Sequence, residues 1–280
     1  MARRRGPRAS RGKQRRSRRQ GTQTQAVRSG ADHRLAGTES IPRIPLLDVL
    51  RGVALIGMTV FHFAYDLMFF GLQEPGYTTQ LHWAALAKAV AISFLFATGA
   101  SLYLAHAHAF HWTRWARRLA LIVLGALAIT AATWIATPQS LIFFGILHLI
   151  AFAGVAGLAF VRGPWWLAAA AAVAILAINE TVQTELLDAR IWQWTGLSVA
   201  RPNSGDYFPV FPWLAAVLFG IGAARWAHGA GALRRLAVYR MEGSVGRFVR
   251  FLGRNSLVYY LLHQPVMMGL LWTWLQVTNR

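Results

Sequence analysis

The sequence contains no cysteine, which excludes a disulfide framework, a thiolate zinc site and a cysteine nucleophile, and leaves the redox compartment unread. Charge is also scarce and lopsided. Only 14% of the 280 residues are charged against 55% hydrophobic, and Asp and Glu number 10 against 29 Lys and Arg. A water-soluble domain carries about 25% charge, so the composition argues against one. No internal repeat is evident, which weakens the case for a transporter built from inverted halves. A cleaved secretory signal is not expected either. The first apolar run begins near Ile44, is too long for an h-region and is followed by no small-residue cleavage pattern.

What is present is blocky. Leu119–Ala136 and Trp165–Ile178 hold almost no charge, and a helix of roughly 20 apolar residues crosses the ~30 Å hydrocarbon core. Walking the chain predicts an all-α integral membrane protein of about seven transmembrane helices, at residues 46–70, 82–105, 117–136, 140–160, 165–183, 208–227 and 255–276. Residues 1–40 hold twelve of the Lys and Arg against Asp32 and Glu39. Such a polar, self-repelling segment reads as a disordered basic tail ahead of a membrane domain over 41–280. Its charge fits cytoplasmic anchoring against anionic lipid, and no nucleic-acid partner is expected.

Charge then orients the bundle. With the tail inside, Arg114, Arg117, Arg118, Arg162 and the run from Arg225 to Arg254 also fall inside. Glu74, Glu185, Asp188 and Asp206 fall outside, with Arg190 and Arg201 as the basic exceptions there. The asymmetry predicts an N-in, C-out, multi-pass protein.

The first span carries Asp48, Arg51, His62 and Asp66, and ionisable groups at membrane depth mark function by default. At about 100° per residue they fall in one stripe, with Asp66 near 0°, His62 near −40° and Arg51 near −60° from Asp48. Arg51 and His62 lie ~16 Å apart along the axis. His62 and Asp66, four residues apart, are placed for a hydrogen bond that would fix the imidazole tautomer and raise its basicity, as a general base requires. Asp48 and Arg51 read equally as an interfacial ion pair or as part of a binding site. His148 in the fourth span, and His263 with Gln264 in the seventh, are either core residues or substrate contacts. His82 opens the second span near where His62 emerges. His106, His108 and His111 lie together without a carboxylate or thiolate, so no metal site is expected. The segment Tyr207–Trp213, with Pro209 and Pro212, reads as a substrate lip or an aromatic belt.

Arg43, Asp48, Arg51–Gly52 and His62, with ten residues between Arg51 and His62, resemble the opening helix of transmembrane acyltransferases, with the spacing of the acyltransferase family 3 motif. His62-x3-Asp66-Leu67, Gly145–His148, Phe211–Trp213 with Gly220, and Leu252–Leu257 with Tyr260 and His263–Pro265 are similar to the bacterial DUF1624 proteins. These are relatives of the heparan-α-glucosaminide N-acetyltransferase catalytic domain. The resemblance implies transfer of an acyl group from cytoplasmic acetyl-CoA or another acyl-CoA, a co-substrate and not a resident cofactor. The acceptor would be an amine or hydroxyl of an extracytoplasmic sugar, glycolipid or envelope glycan. It places catalysis on His62, Asp66 and His82, the last being nearest to a histidine that lysosomal relatives carry after the first span. Donor or substrate binding falls to Asp48, Arg51, His148, Asn255, His263 and Gln264. The implied setting is the bilayer of a bacterial cytoplasmic membrane, with a homo-oligomer left open. Two other readings stand beside it. One is a proton-coupled transporter using His62 and Asp66 as a relay, the other a non-catalytic scaffold.

Overall fold

The computed structural model describes residues 43–238 and 241–278. The basic segment 1–40 lies outside them. Helix accounts for 77% of the structure, and among the described residues there is no strand beyond an isolated bridge between Thr184 and Ser198. The helices are α1 Pro45–Phe69, α2 Leu81–His106, α3 Trp112–Ala136, α4 Ile146–Ala156, α5 Leu158–Val161, α6 Trp165–Thr181, α7 Val210–Gly229, α8 Ala232–Val238, α9 Ser244–Arg254 and α10 Ser256–Val277.

Four of them, α1, α2, α3 and α7, are long and apolar enough to cross a bilayer, while α4 and α6 are shorter apolar helices. α10 has 22 residues but is interrupted by His263, Gln264 and Pro265. The burial pattern is that of a protein solvated by lipid. In α3 only Gly125 and Ala126 are buried, and Leu124, Leu127 and Ile135 face outward, which in water would expose an apolar patch on a scale monomers avoid.

Small residues let the central helices meet at backbone distance, as membrane packing favours. A Cβ at Gly99 would strike the Val217 carbonyl, and one at Gly220 the Phe96 carbonyl, which seals α2 against α7. Gly52 against Val249, and Gly253 against the Asp48 carbonyl, seal α1 against α9 in the same way. α9 is not among the expected spans. Its Arg247, Arg250 and Arg254 read as part of a charge run, yet Gly246, Val249, Leu252 and Gly253 recur at helical spacing and are buried.

The expected fourth span also differs. Residues 141–145 are not helical, and α4 begins at Ile146. The segment spends its backbone groups on neighbours instead. Ser140 O accepts from Gly205 N at 2.9 Å, Phe144 O from Phe208 N at 3.1 Å, and Ile142 O from Thr130 Oγ1 at 2.7 Å. Non-helical backbone inside a membrane protein survives only where such partners satisfy it.

Candidate active site

α1 and α10 run alongside each other, and their shared seam gathers the polar side chains. Thr59 Oγ1 meets Tyr259 Oη at 2.7 Å, the His62 and His263 rings meet edge to face at 5.0 Å between centroids, and Gln264 Nε2 donates to Asp66 Oδ1 at 2.5 Å. Asp66 is fully buried and His263 is buried. The expected pairing of His62 with Asp66 is therefore corrected. Both lie on the predicted stripe, but the carboxylate turns across the seam to the α10 amide and not along its own helix.

His263 has a defined tautomer. Its Nδ1–H donates to the Tyr260 carbonyl at 2.7 Å, which leaves the lone pair on Nε2. That nitrogen is buried without a partner, and so are His62 Nδ1, Asp66 Oδ2 and Gln264 Oε1. Native proteins rarely leave such groups unsatisfied, and four within one seam mark a place where a polar ligand belongs. The set offers two imidazoles, one carboxylate and one amide, enough to accept a proton and orient a nucleophile.

Towards the start of α1 the seam gives way to a cavity of about 400 Å³, bordered by Arg43, Arg51, Arg118 and Arg254, with Asp48 and Tyr260. Of the two readings of Asp48 and Arg51, the ion pair between them is not what forms. Asp48 Oδ2 accepts from Arg43 at 2.9 Å and from Arg254 at 3.3 Å, while Arg51 donates to Ser101 Oγ at 2.7 Å and Ala97 O at 3.3 Å on α2. Asn255 borders the same cavity and also closes α9, its side-chain amide donating to Phe251 O at 2.9 Å.

His148 stands apart. Gly145 N donates to its Nδ1 at 3.2 Å, so its Nε2–H donates to Thr130 Oγ1 at 3.2 Å, and Thr130 passes its own hydrogen to Ile142 O. Both ring nitrogens are occupied in holding residues 142–145. His82 is exposed on the rim, separated from His62 by Trp83 and Phe61 in a chain of ring contacts. Among the described residues no three His, Asp or Glu side chains converge as a metal site would need.

Asp206 emerges as a residue the sequence reading used only for its charge. Its Oδ2 accepts from Ile146 N at 3.0 Å, at the start of α4, and from the Tyr260 hydroxyl at 3.2 Å. Burial pushes this carboxyl up to about 6, although the Ile146 N–H and the Tyr260 hydroxyl both hold it down. Arg118 and Arg254, which orient the bundle by their charge, also border the arginine cavity. No local signal distinguishes them, because the cavity they border is assembled from six helices.

Compared with known proteins, residues 43–265 match the family described as heparan-α-glucosaminide N-acetyltransferase, catalytic. Neither the curated proteins nor the solved structures contain a match. The match begins at Arg43 and ends at Pro265, so it takes in the arginine-bordered cavity and the whole polar seam. With that coverage, the chain belongs to the heparan-α-glucosaminide N-acetyltransferase catalytic family of membrane proteins.

Proposed function

We propose that this protein transfers an acetyl group from acetyl-CoA, bound at its basic end, to an amine or hydroxyl of a glycan reached from the opposite end. Acetyltransferases of this family use acetyl-CoA as co-substrate. The chain would cross a bacterial cytoplasmic membrane seven times, through α1, α2, α3, α4 with α5, α6, α7 and α10, with its amino terminus inside.

The observation that carries the reading is the adjacency of two features along α1. An arginine-bordered cavity suits the phosphates of CoA, and eleven residues further on, ~16 Å along the axis, lie the unpartnered groups of the seam. An extended pantetheine arm spans such a distance. At its end the acceptor N–H or O–H attacks the thioester carbonyl and gives its proton to an imidazole. The C–S bond then breaks, and the leaving CoA sulfur takes a proton back from that imidazole. His62 and His263 both border the place where this would occur, and Asp66 with Gln264 orients the acceptor or the developing imidazolium. Whether His62 carries the acetyl group in passing is a question of kinetics, answered by looking for an acetylated enzyme.

The test is release of CoA thiol by purified protein with acetyl-CoA and hexosamine acceptors. The absence of cysteine makes the released CoA the sole thiol in the assay. His62→Ala and His263→Ala should each lower turnover by ~10²–10⁴-fold in variants that insert and stay monodisperse. A well-folded His62→Ala protein with wild-type turnover would overturn the assignment.

A further inference from the structure

A second cavity, of about 690 Å³, opens at the basic end of the bundle and shares no bordering residue with the arginine cavity. Tyr103 of α2, His108 of the following loop, Trp165 at the start of α6, and Arg225, Trp226 and His228 of α7 surround it. None of its bordering residues is acidic. Tyr103 Oη and His228 Nδ1 lie 2.6 Å apart, and the His108 ring meets His228 edge to face at 5.4 Å. With the tyrosine donating to Nδ1, His228 is left with its Nε2–H as a free donor.

A further donor comes from the backbone. Pro164 caps α6, no side chain satisfies its first amides, and Pro164 and Trp165 border this cavity. The positive end of the helix dipole therefore adds to the Arg225 charge. Trp165 and Trp226 are 48% and 55% exposed at the rim, the arrangement expected of aromatic residues at headgroup depth.

We propose that this cavity binds a phosphate group, held by Arg225, His108 and His228 over the start of α6. An anionic phospholipid headgroup or free phosphate would present the same chemistry. The function is separate from acetyl transfer, so it is tested without acetyl-CoA.

Full-length protein in detergent is titrated with phosphatidylglycerol, followed by native mass spectrometry, and separately with inorganic phosphate, followed by its thermal midpoint. Arg225→Gln should weaken binding by about tenfold or more, the loss of one charge-assisted hydrogen bond. His108→Ala, in an exposed loop position, should weaken it less and guards against a folding defect at Arg225. Lipid retention that both variants reduce supports the proposal with a headgroup as the source. A midpoint raised by inorganic phosphate in the wild type and not in the variants supports it with free phosphate as the source. Equal responses of the wild type and both folded variants to both ligands would overturn it.

Discussion

Gly253→Ala tests whether the join between α9 and α1 positions the catalytic seam. A Cβ at residue 253 falls on the Asp48 carbonyl oxygen, with the carbonyl carbon at 2.7 Å and Cα at 3.1 Å, all backbone atoms that no rotamer change can move aside. Restoring ordinary contact, which begins at 3.4 Å, requires the two helices to part by on the order of 1 Å. Overpacking of this kind costs about 1–3 kcal/mol of stability. It should also stretch the Arg254–Asp48 bond, now 3.3 Å, and carry α10 with it, since α10 follows after the single residue Asn255. A displacement of about 1 Å at a catalytic constellation can lower rates by ~10²-fold. Turnover of acetyl-CoA should therefore fall further than the stability loss alone explains, when measured well below the thermal midpoint. Gly269→Ala on α10 is the control. Nothing lies within 4 Å of its Cβ position, so it should keep activity and gain at most about 1 kcal/mol from helix propensity. Indistinguishable behaviour of the two variants would refute the reasoning.

Arg51→Ala should chiefly raise the acetyl-CoA concentration needed for half-maximal rate, because Arg51 borders the cavity and not the seam; a loss confined to kcat would contradict that. Asp206 gives a pH test. Its carboxyl is raised in the folded protein from 3.8 to about 6, so between those values the native state holds a proton that the unfolded chain has lost. Stability therefore falls as pH rises through this window, by at most about 3 kcal/mol. Thermal midpoints of Asp206→Asn should lack that component, and parallel pH curves for the two proteins would refute it. Reporter fusions at the two ends should place the amino terminus in the cytoplasm and the carboxyl terminus outside, and matching signals at both ends would mean an even number of passes.

The apolar blocks made the long helices legible, because membrane length and composition leave few alternatives. The stripe on α1 was legible too, since Arg51, His62 and Asp66 follow from helical geometry alone. Their partners were not. Spacing along one helix suggests i, i+3 and i, i+4 pairs, but Asp66 bonds Gln264 of α10, Asp48 bonds Arg254 of α9, and Arg51 bonds Ser101 of α2. Crossing helices decide those bonds, and a single helical period contains no information about them. Residues 141–145 misled for a related reason. Leu141, Ile142, Phe143 and Phe144 look like the start of a span, and only the Thr130 hydroxyl on Ile142 O and the distant Phe208 amide on Phe144 O reveal that carbonyls there are spent elsewhere. His148 shows the same limit from the other side, since its neighbours Thr130 and Gly145 use up both ring nitrogens.

Tyr260 touches two parts of the protein at once. Its carbonyl holds the Nδ1 hydrogen of His263, and its hydroxyl reaches Asp206, in the connection between α6 and α7. A loop far along the chain is thus one residue away from setting which nitrogen of a buried imidazole is basic. If that loop shifts, Tyr260 is pulled at its outer end while its inner end grips the ring, so the proton inventory of the seam becomes sensitive to the seating of a surface connection. Tyr260→Phe isolates the link, cutting the outer grip and leaving the carbonyl in place. Its expected signature is a His263 whose NMR tautomer signals mix, in a protein whose helices are otherwise undisturbed.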